Sequence, residues 1–68
     1  MDIKQKFGLK IKELRKLRGF SQERLANLAE IDRTYLPTIE KGNRNVSIEI
    51  VEKLANALGV KIKDLFDE

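Results

Sequence analysis

The chain has 68 residues, 41% of them hydrophobic and 37% charged, with a formal net charge of +3. A chain this short buries only roughly 60% of the surface it exposes when unfolded, so a single small domain over 1–68 is expected, without room for a large enzymatic cleft. Cysteine and histidine are both absent, which removes disulfides, the common structural zinc sites and the Cys/His and Ser/His catalytic pairs. The expectation is therefore a protein that is not an enzyme, with no catalytic residue, no metal and no cofactor. No apolar run approaches the length of a membrane span and the N-terminus lacks the apolar core of a secretory signal, so a cytoplasmic location is expected.

The charge is unevenly spread. Residues 1–20 carry seven basic side chains against two acidic ones, a local balance of +5. Residues 21–45 are neutral, with four of each sign, and 46–68 carry three basic and five acidic, a balance of −2. A basic end attracts a polyanion through phosphate neutralisation. The same lysines also serve as an ordinary solvated helix face, with Lys16 and Arg18 the candidates to add to a salt-dependent attraction.

Apolar spacing divides the chain into five short helical segments and indicates an all-α, five-helix fold. Ile3, Phe7, Ile11, Leu14 and Leu17 form one stripe at intervals of three and four, with Asp2 as the cap and Gly19 as the stop. Ser21 is a good N-cap for a second helix from Gln22 to about Ala29, with Glu23 in its first turn and Leu25, Leu28 and Ala29 facing inward. Arg24 stands where the reciprocal Glu or Gln of a full capping box would be.

Asp32 is placed to cap a third helix running to Lys41, with Leu36 and Ile39 apolar and Gly42 as the stop. Ser47 caps a fourth, in which Ile50 or Val51, Leu54, Ala55 and Leu58 are buried before Gly59 closes it. A final short segment returns Ile62, Leu65 and Phe66 to the core.

A short helix, a three-residue turn and a second short helix over about 21–41 have the proportions of a helix-turn-helix, although small bundles contain similar corners. Arg33, Thr34, Pro37, Thr38 and Lys41 project from the third helix opposite Leu36 and Ile39. Arginine bonds bidentately to guanine, and threonine offers a hydroxyl to several bases or its methyl to thymine.

The run from Ser21 to Ser47, S-Q-E-R-L-A-N-L-A-E-I-D-R-T-Y-L-P-T-I-E-K-G-N-R-N-V-S, closely resembles the DNA-binding domain of lambdoid phage repressors, Cro proteins and xenobiotic-response-element-type regulators. The D-R-T-Y and I-E-x-G-x-R-N stretches make it most similar to the small controller proteins of restriction–modification systems. The likeness extends from about Phe7 to Phe66, including A-N-A-L-G-V near the end.

That resemblance implies a lambda-repressor-like fold and a role for each matched position. Arg33, Thr34 and Thr38 match base-contacting residues, and Asp32 matches the residue that opens their helix. Gln22 matches an anchor to phosphate and to the first recognition side chain. Ser21, Asn43, Arg44, Asn45 and Ser47 match positions at the phosphate backbone, Arg44 reaching either phosphate or the minor groove and Ser47 meeting phosphate through its backbone amide while its hydroxyl caps the fourth helix. Tyr35 either packs its ring on a neighbouring helix or presents its hydroxyl to DNA. Arg15 and Glu40 are implied to pair with each other beneath the recognition helix.

Pro37 departs from the small residue frequent there in the family. An interior proline costs about 3 kcal/mol, so either the first turn is 3₁₀-like or kinked, or the helix begins later than Asp32 suggests. Pro37 is expected to contact a thymine methyl or the DNA backbone.

The resemblance further implies a homodimer on a pseudo-palindromic double-stranded operator, blocking or recruiting RNA polymerase, with no small-molecule effector and no membrane. The fourth and fifth segments, about 47–66, supply the interface candidates Ile50, Leu58, Val60, Ile62 and Phe66, which are otherwise core. A different class remains open: an antitoxin or protein-interaction adaptor using the same fold.

Overall fold

In the computed structural model, which describes residues 1–67, three of the four α-helices begin where a side chain accepts an otherwise unpaired backbone amide. The Asp2 carboxylate accepts the Gln5 N–H at 2.9 Å and the Gln5 amide oxygen accepts the Asp2 N–H at 3.1 Å, a reciprocal box that opens α1, Ile3–Leu17. Ser21 Oγ accepts the Arg24 N–H at 3.0 Å at the head of α2, Gln22–Ala29. Ser47 Oγ does the same for Ile50 at 3.1 Å at the head of α4, Ile48–Leu58.

The third helix, α3, spans only Tyr35–Glu40 and starts later than Asp32 would place it. Asp32 caps a preceding turn instead: its carbonyl accepts the Tyr35 N–H at 3.0 Å, and its carboxylate accepts both the amide and the hydroxyl of Thr34 at 2.8 Å. Pro37 then falls third in α3. An amide in the first turn has no intrahelical acceptor, so the ring removes no helical hydrogen bond. Of the two readings of Pro37, the later start is the one observed.

Among the described residues there are four α-helices rather than five, because Ile62–Leu65 forms a single 3₁₀ turn. Four residues between Lys61 and Phe66 are too few for sustained α-helical bonding. The turn still delivers Leu65 to the core, where it is 1% exposed.

All four helices close with a residue of positive φ, after which the chain donates an amide back to the helix it has left. Glycine occupies that position after α1, α3 and α4, but α2 ends on Glu30 at φ 58°. Ile31 N–H then bonds to Ala26 O at 3.0 Å.

Helix α1 packs chiefly on α3 and α2 chiefly on α4, around a core with Ile11, Leu25, Leu36, Leu54 and Leu58 each 1% exposed or less. Gly8 sets how closely α1 and α3 approach. A Cβ there would overlap the carbonyl oxygen of Ile39 and lie 2.9 Å from that of Glu40, so a side chain at this point would push the end of α3 away. The core has less room than the apolar spacing suggests: Ile3, Leu17 and Leu28 are exposed, and Ile62 and Phe66 are only half covered. Phe66 rests its ring against Phe7 with centroids 5.4 Å apart.

A left-handed conformation costs an L-residue about 1–2 kcal/mol. Glu30→Gly is therefore expected to stabilise the domain by about 1 kcal/mol, or ~4–8 °C in Tm for a domain of this size. A thermal melt with no upward shift would show that Glu30 carries no strain.

Candidate nucleic-acid interface

The carboxylate of Glu40, at the end of α3, is the most buried charged side chain in the chain's described part, with 4% of it exposed. Arg15 from α1 meets it through two hydrogen bonds, Nε to Oε2 at 2.7 Å and Nη2 to Oε1 at 3.1 Å. The remaining Arg15 nitrogen, Nη1, donates to the Phe20 carbonyl oxygen at 2.8 Å. Gln22, first residue of α2, donates Nε2 to Glu40 Oε1 at 3.1 Å. One carboxylate thus joins α1, the turn after it, α2 and α3. No buried polar side-chain atom among the described residues is left without a partner, which is the condition under which a buried ion pair is tolerated.

The residues at the head of α3 lie on the opposite, solvent-facing side. Arg33 and Thr34 are exposed, and Thr38 and Pro37 are half-buried. Because α3 begins at Tyr35, Arg33 and Thr34 are carried by the turn that precedes the helix. Arg33 Nη1 donates to Glu23 Oε2 at 2.8 Å, with both side chains well exposed. The Thr34 hydroxyl proton goes to Asp32 and the Thr38 hydroxyl proton to the Tyr35 carbonyl oxygen, both at 2.8 Å. Each threonine therefore presents an oxygen that accepts, together with its methyl group. Two hydrogen bonds from Thr34, the backbone amide and then the hydroxyl, hold the Asp32 carboxyl below its ordinary value of 3.8.

Beyond α3, the Arg44 guanidinium carbon lies 4.0 Å from the centroid of the Tyr35 ring, a cation–π contact. It ties the loop after α3 to the start of that helix. Asn43 and Asn45 flank it and are exposed. Ser21 and Ser47 use an oxygen lone pair to cap their helices, which leaves their hydroxyl protons for an external acceptor.

The dimer-interface candidates divide by burial. Leu58, a candidate interface residue, is 1% exposed and belongs to the core because it closes the inner face of α4. Ile50 and Val60 are half-buried against that core, leaving Ile62 and Phe66 as the exposed members of the set. Arg18, a candidate for the general attraction, is exposed and keeps its charge while its Nε donates to the neutral Leu58 carbonyl oxygen at 3.0 Å, which caps α4.

Sequence reasoning overlooked Glu23 as the partner of Arg33. It also counted Ile3 in the first apolar stripe and passed over Ile48; both are exposed, and with Phe7 and Phe66 they wall an apolar groove between the starts of α1 and α4. The ten-residue separation of Glu23 and Arg33 matches no single-helix periodicity, so only the corner between α2 and α3 brings them together.

This arrangement, a short helix joined by a tight turn to a second whose head is exposed, is a helix-turn-helix, and the helix-turn-helix family model matches residues 11–65. The chain belongs to that family. Control protein C.BamHI of Bacillus amyloliquefaciens is 45% identical over 67 residues, covering 97% of this chain and 83% of that one. The crystal structure of the restriction–modification controller protein C.AhdI from Aeromonas hydrophila superposes with a TM-score of 0.90 at 46% identity, covering 93% of this chain and 96% of that one. The biofilm master regulator SinR, solved in complex with DNA, superposes with a TM-score of 0.85 at 37% identity over 90% of this chain and 98% of that one.

Removing one partner of a buried ion pair costs about 3–5 kcal/mol, whereas replacing both with apolar groups is often neutral or better. Urea unfolding should accordingly find Arg15→Met strongly destabilised and the Arg15→Met/Glu40→Met double variant substantially recovered. A double variant as unstable as the two single losses added together would contradict the pairing.

Proposed function

We propose that the chain is a sequence-specific double-stranded-DNA-binding transcriptional regulator that binds a pseudo-palindromic operator as a homodimer and controls a restriction–modification operon. The observation that carries this reading is the exposed head of α3, where Arg33, Thr34 and Thr38 are grouped and held by neighbouring side chains in a fold whose relatives include one solved on DNA. The likeness to C.BamHI and C.AhdI supports the controller role.

In this reading α3 enters the major groove. Arg33 donates to guanine O6 and N7, while Thr34 and Thr38 accept from an exocyclic amino group or place a methyl against thymine. Pro37, beside Thr38, meets a thymine methyl or the backbone. Phosphates are held by the Ser21 hydroxyl, by the Ser47 backbone amide, by the second N–H of Gln22, by Asn43, Arg44 and Asn45, and by the Tyr35 hydroxyl, with Arg44 kept in place by its stack on Tyr35.

Protomer dimensions of 27 × 22 × 21 Å suit two copies seated on half-sites one helical turn, about 34–36 Å, apart. Ile62 and Phe66, with Ile50 and Val60 behind them, are the apolar surface offered to the second copy. Regulation then follows from occupancy: a dimer on the operator blocks or recruits RNA polymerase according to where the operator lies.

Selection from random duplexes is expected to recover a palindrome. On it, Arg33→Ala should cost about 1–3 kcal/mol and relax one base pair in each half-site. Arg44→Ala should weaken all sequences together and reduce the salt slope by about 1. Equal binding to every duplex, or the reverse assignment of the two arginines, would overturn the reading.

A further inference from the structure

We propose that Glu23 is a specificity-determining positioning residue: its carboxylate holds Arg33 in the reading position and away from the phosphates. The inference rests on the reading of Arg33 as the base-contacting arginine.

Glu23 stands in the first turn of α2 and Arg33 in the turn before α3, so their contact crosses the corner of the helix-turn-helix. Arg33 is 71% exposed and Glu23 61%. Such a pair adds little to folding, and neither residue belongs to the core. Its effect lies in what Arg33 does beside DNA. A long unrestrained arginine on a surface facing a duplex takes the nearest phosphate oxygen, and every sequence offers phosphate.

The geometry of the pair opposes that outcome. One nitrogen, Nη1, is held by one oxygen of Glu23, while the guanidinium fork has Nε and Nη2 as further donors. Two donors in one plane meet guanine O6 and N7 without releasing Glu23. A phosphate contact, by contrast, brings the Glu23 carboxylate up against an anion, and relieving that repulsion means giving up the ion pair. The neutral O6 and N7 of guanine carry no such repulsion, so guanine is read with the pair intact while the phosphate contact is penalised. Glu23 lowers binding to all DNA and lowers it least where Arg33 finds guanine.

The test uses the full chain and the duplex recovered by selection, with each of the four base pairs placed in turn at the position read by Arg33, beside a random-sequence duplex. Glu23→Gln keeps the side-chain shape and removes the charge, and a thermal melt confirms that it folds. It should bind random duplex more tightly, with a salt slope steeper by about 0.9 as Arg33 becomes a phosphate contact. The preference for guanine should fall about fivefold. In an Arg33→Ala background, Glu23→Gln should leave both the slope and the preference where Arg33→Ala alone put them. An unchanged guanine preference in Glu23→Gln overturns the proposal, as does an equal change with and without Arg33, which marks a plain charge effect. If guanine preference depends on Arg33 yet ignores Glu23, this inference fails alone. If the wild-type chain prefers no sequence, the reading of Arg33 fails with it.

Discussion

Three of the four α-helices, α1, α2 and α3, meet at the carboxylate of Glu40. A charge with 4% of its side chain exposed is tolerated only when its oxygens are satisfied. Here the donors come from two different helices, Arg15 of α1 and Gln22 of α2. Satisfying the charge therefore requires α1, α2 and α3 to meet in one arrangement. Gly8 makes that arrangement possible by letting the backbone of α1 approach the last carbonyls of α3. A six-residue helix has few hydrogen bonds of its own and little intrinsic stability. Its direction is set from outside, by Glu40 at one end and by Leu36 and Ile39 beneath.

Anchored at its C-terminal end, α3 presents its head to solvent, and side chains there are restrained in pairs. Arg33 is held by Glu23, Thr34 by Asp32 and Arg44 by Tyr35. A pre-oriented donor or acceptor loses less rotational freedom when it meets a ligand than a free one does. The small net charge has a similar logic. Two of the basic residues in 1–20, Arg15 and Arg18, serve the fold by binding Glu40 and capping α4; Arg15 is neutralised there, whereas Arg18, exposed and bonded to a neutral carbonyl, keeps its charge alongside the lysines.

Much of this was legible in the sequence because it is local. Asp2, Ser21 and Ser47 announce helix starts through their own side chains, and Gly19, Gly42 and Gly59 mark the stops. The reading of Asp2 as a cap did not extend to its partner Gln5, although the reciprocal box spans only three residues. The head of α3 was less legible, since Asp32 caps either a helix or a turn with the same chemistry, and only Pro37 hinted that the helix starts later. Periodicity also overcounted the core. It groups residues by angle around a helix, but how much of that face is covered depends on the lengths and ends of neighbouring elements. Ile3 and Leu17 thus share a stripe with Ile11 and remain exposed, while Leu58 is taken up wholly inside. Contacts across the corner, such as Glu23 with Arg33 and Arg18 with the end of α4, have no sequence period and emerge only once the helices are packed.

In the proposed reading, a scaffold organised around Glu40 presents the head of α3 to the major groove, and a crystal structure of the chain on its selected duplex is the decisive experiment. The expected structure has α3 in the major groove, Arg33 Nε and Nη2 within hydrogen-bonding distance of guanine O6 and N7, and the Arg15–Glu40–Gln22 contacts unchanged from the free protein. A duplex bound along the lysines of α1 with α3 outside the groove, or a Glu40 network dismantled on binding, would contradict it.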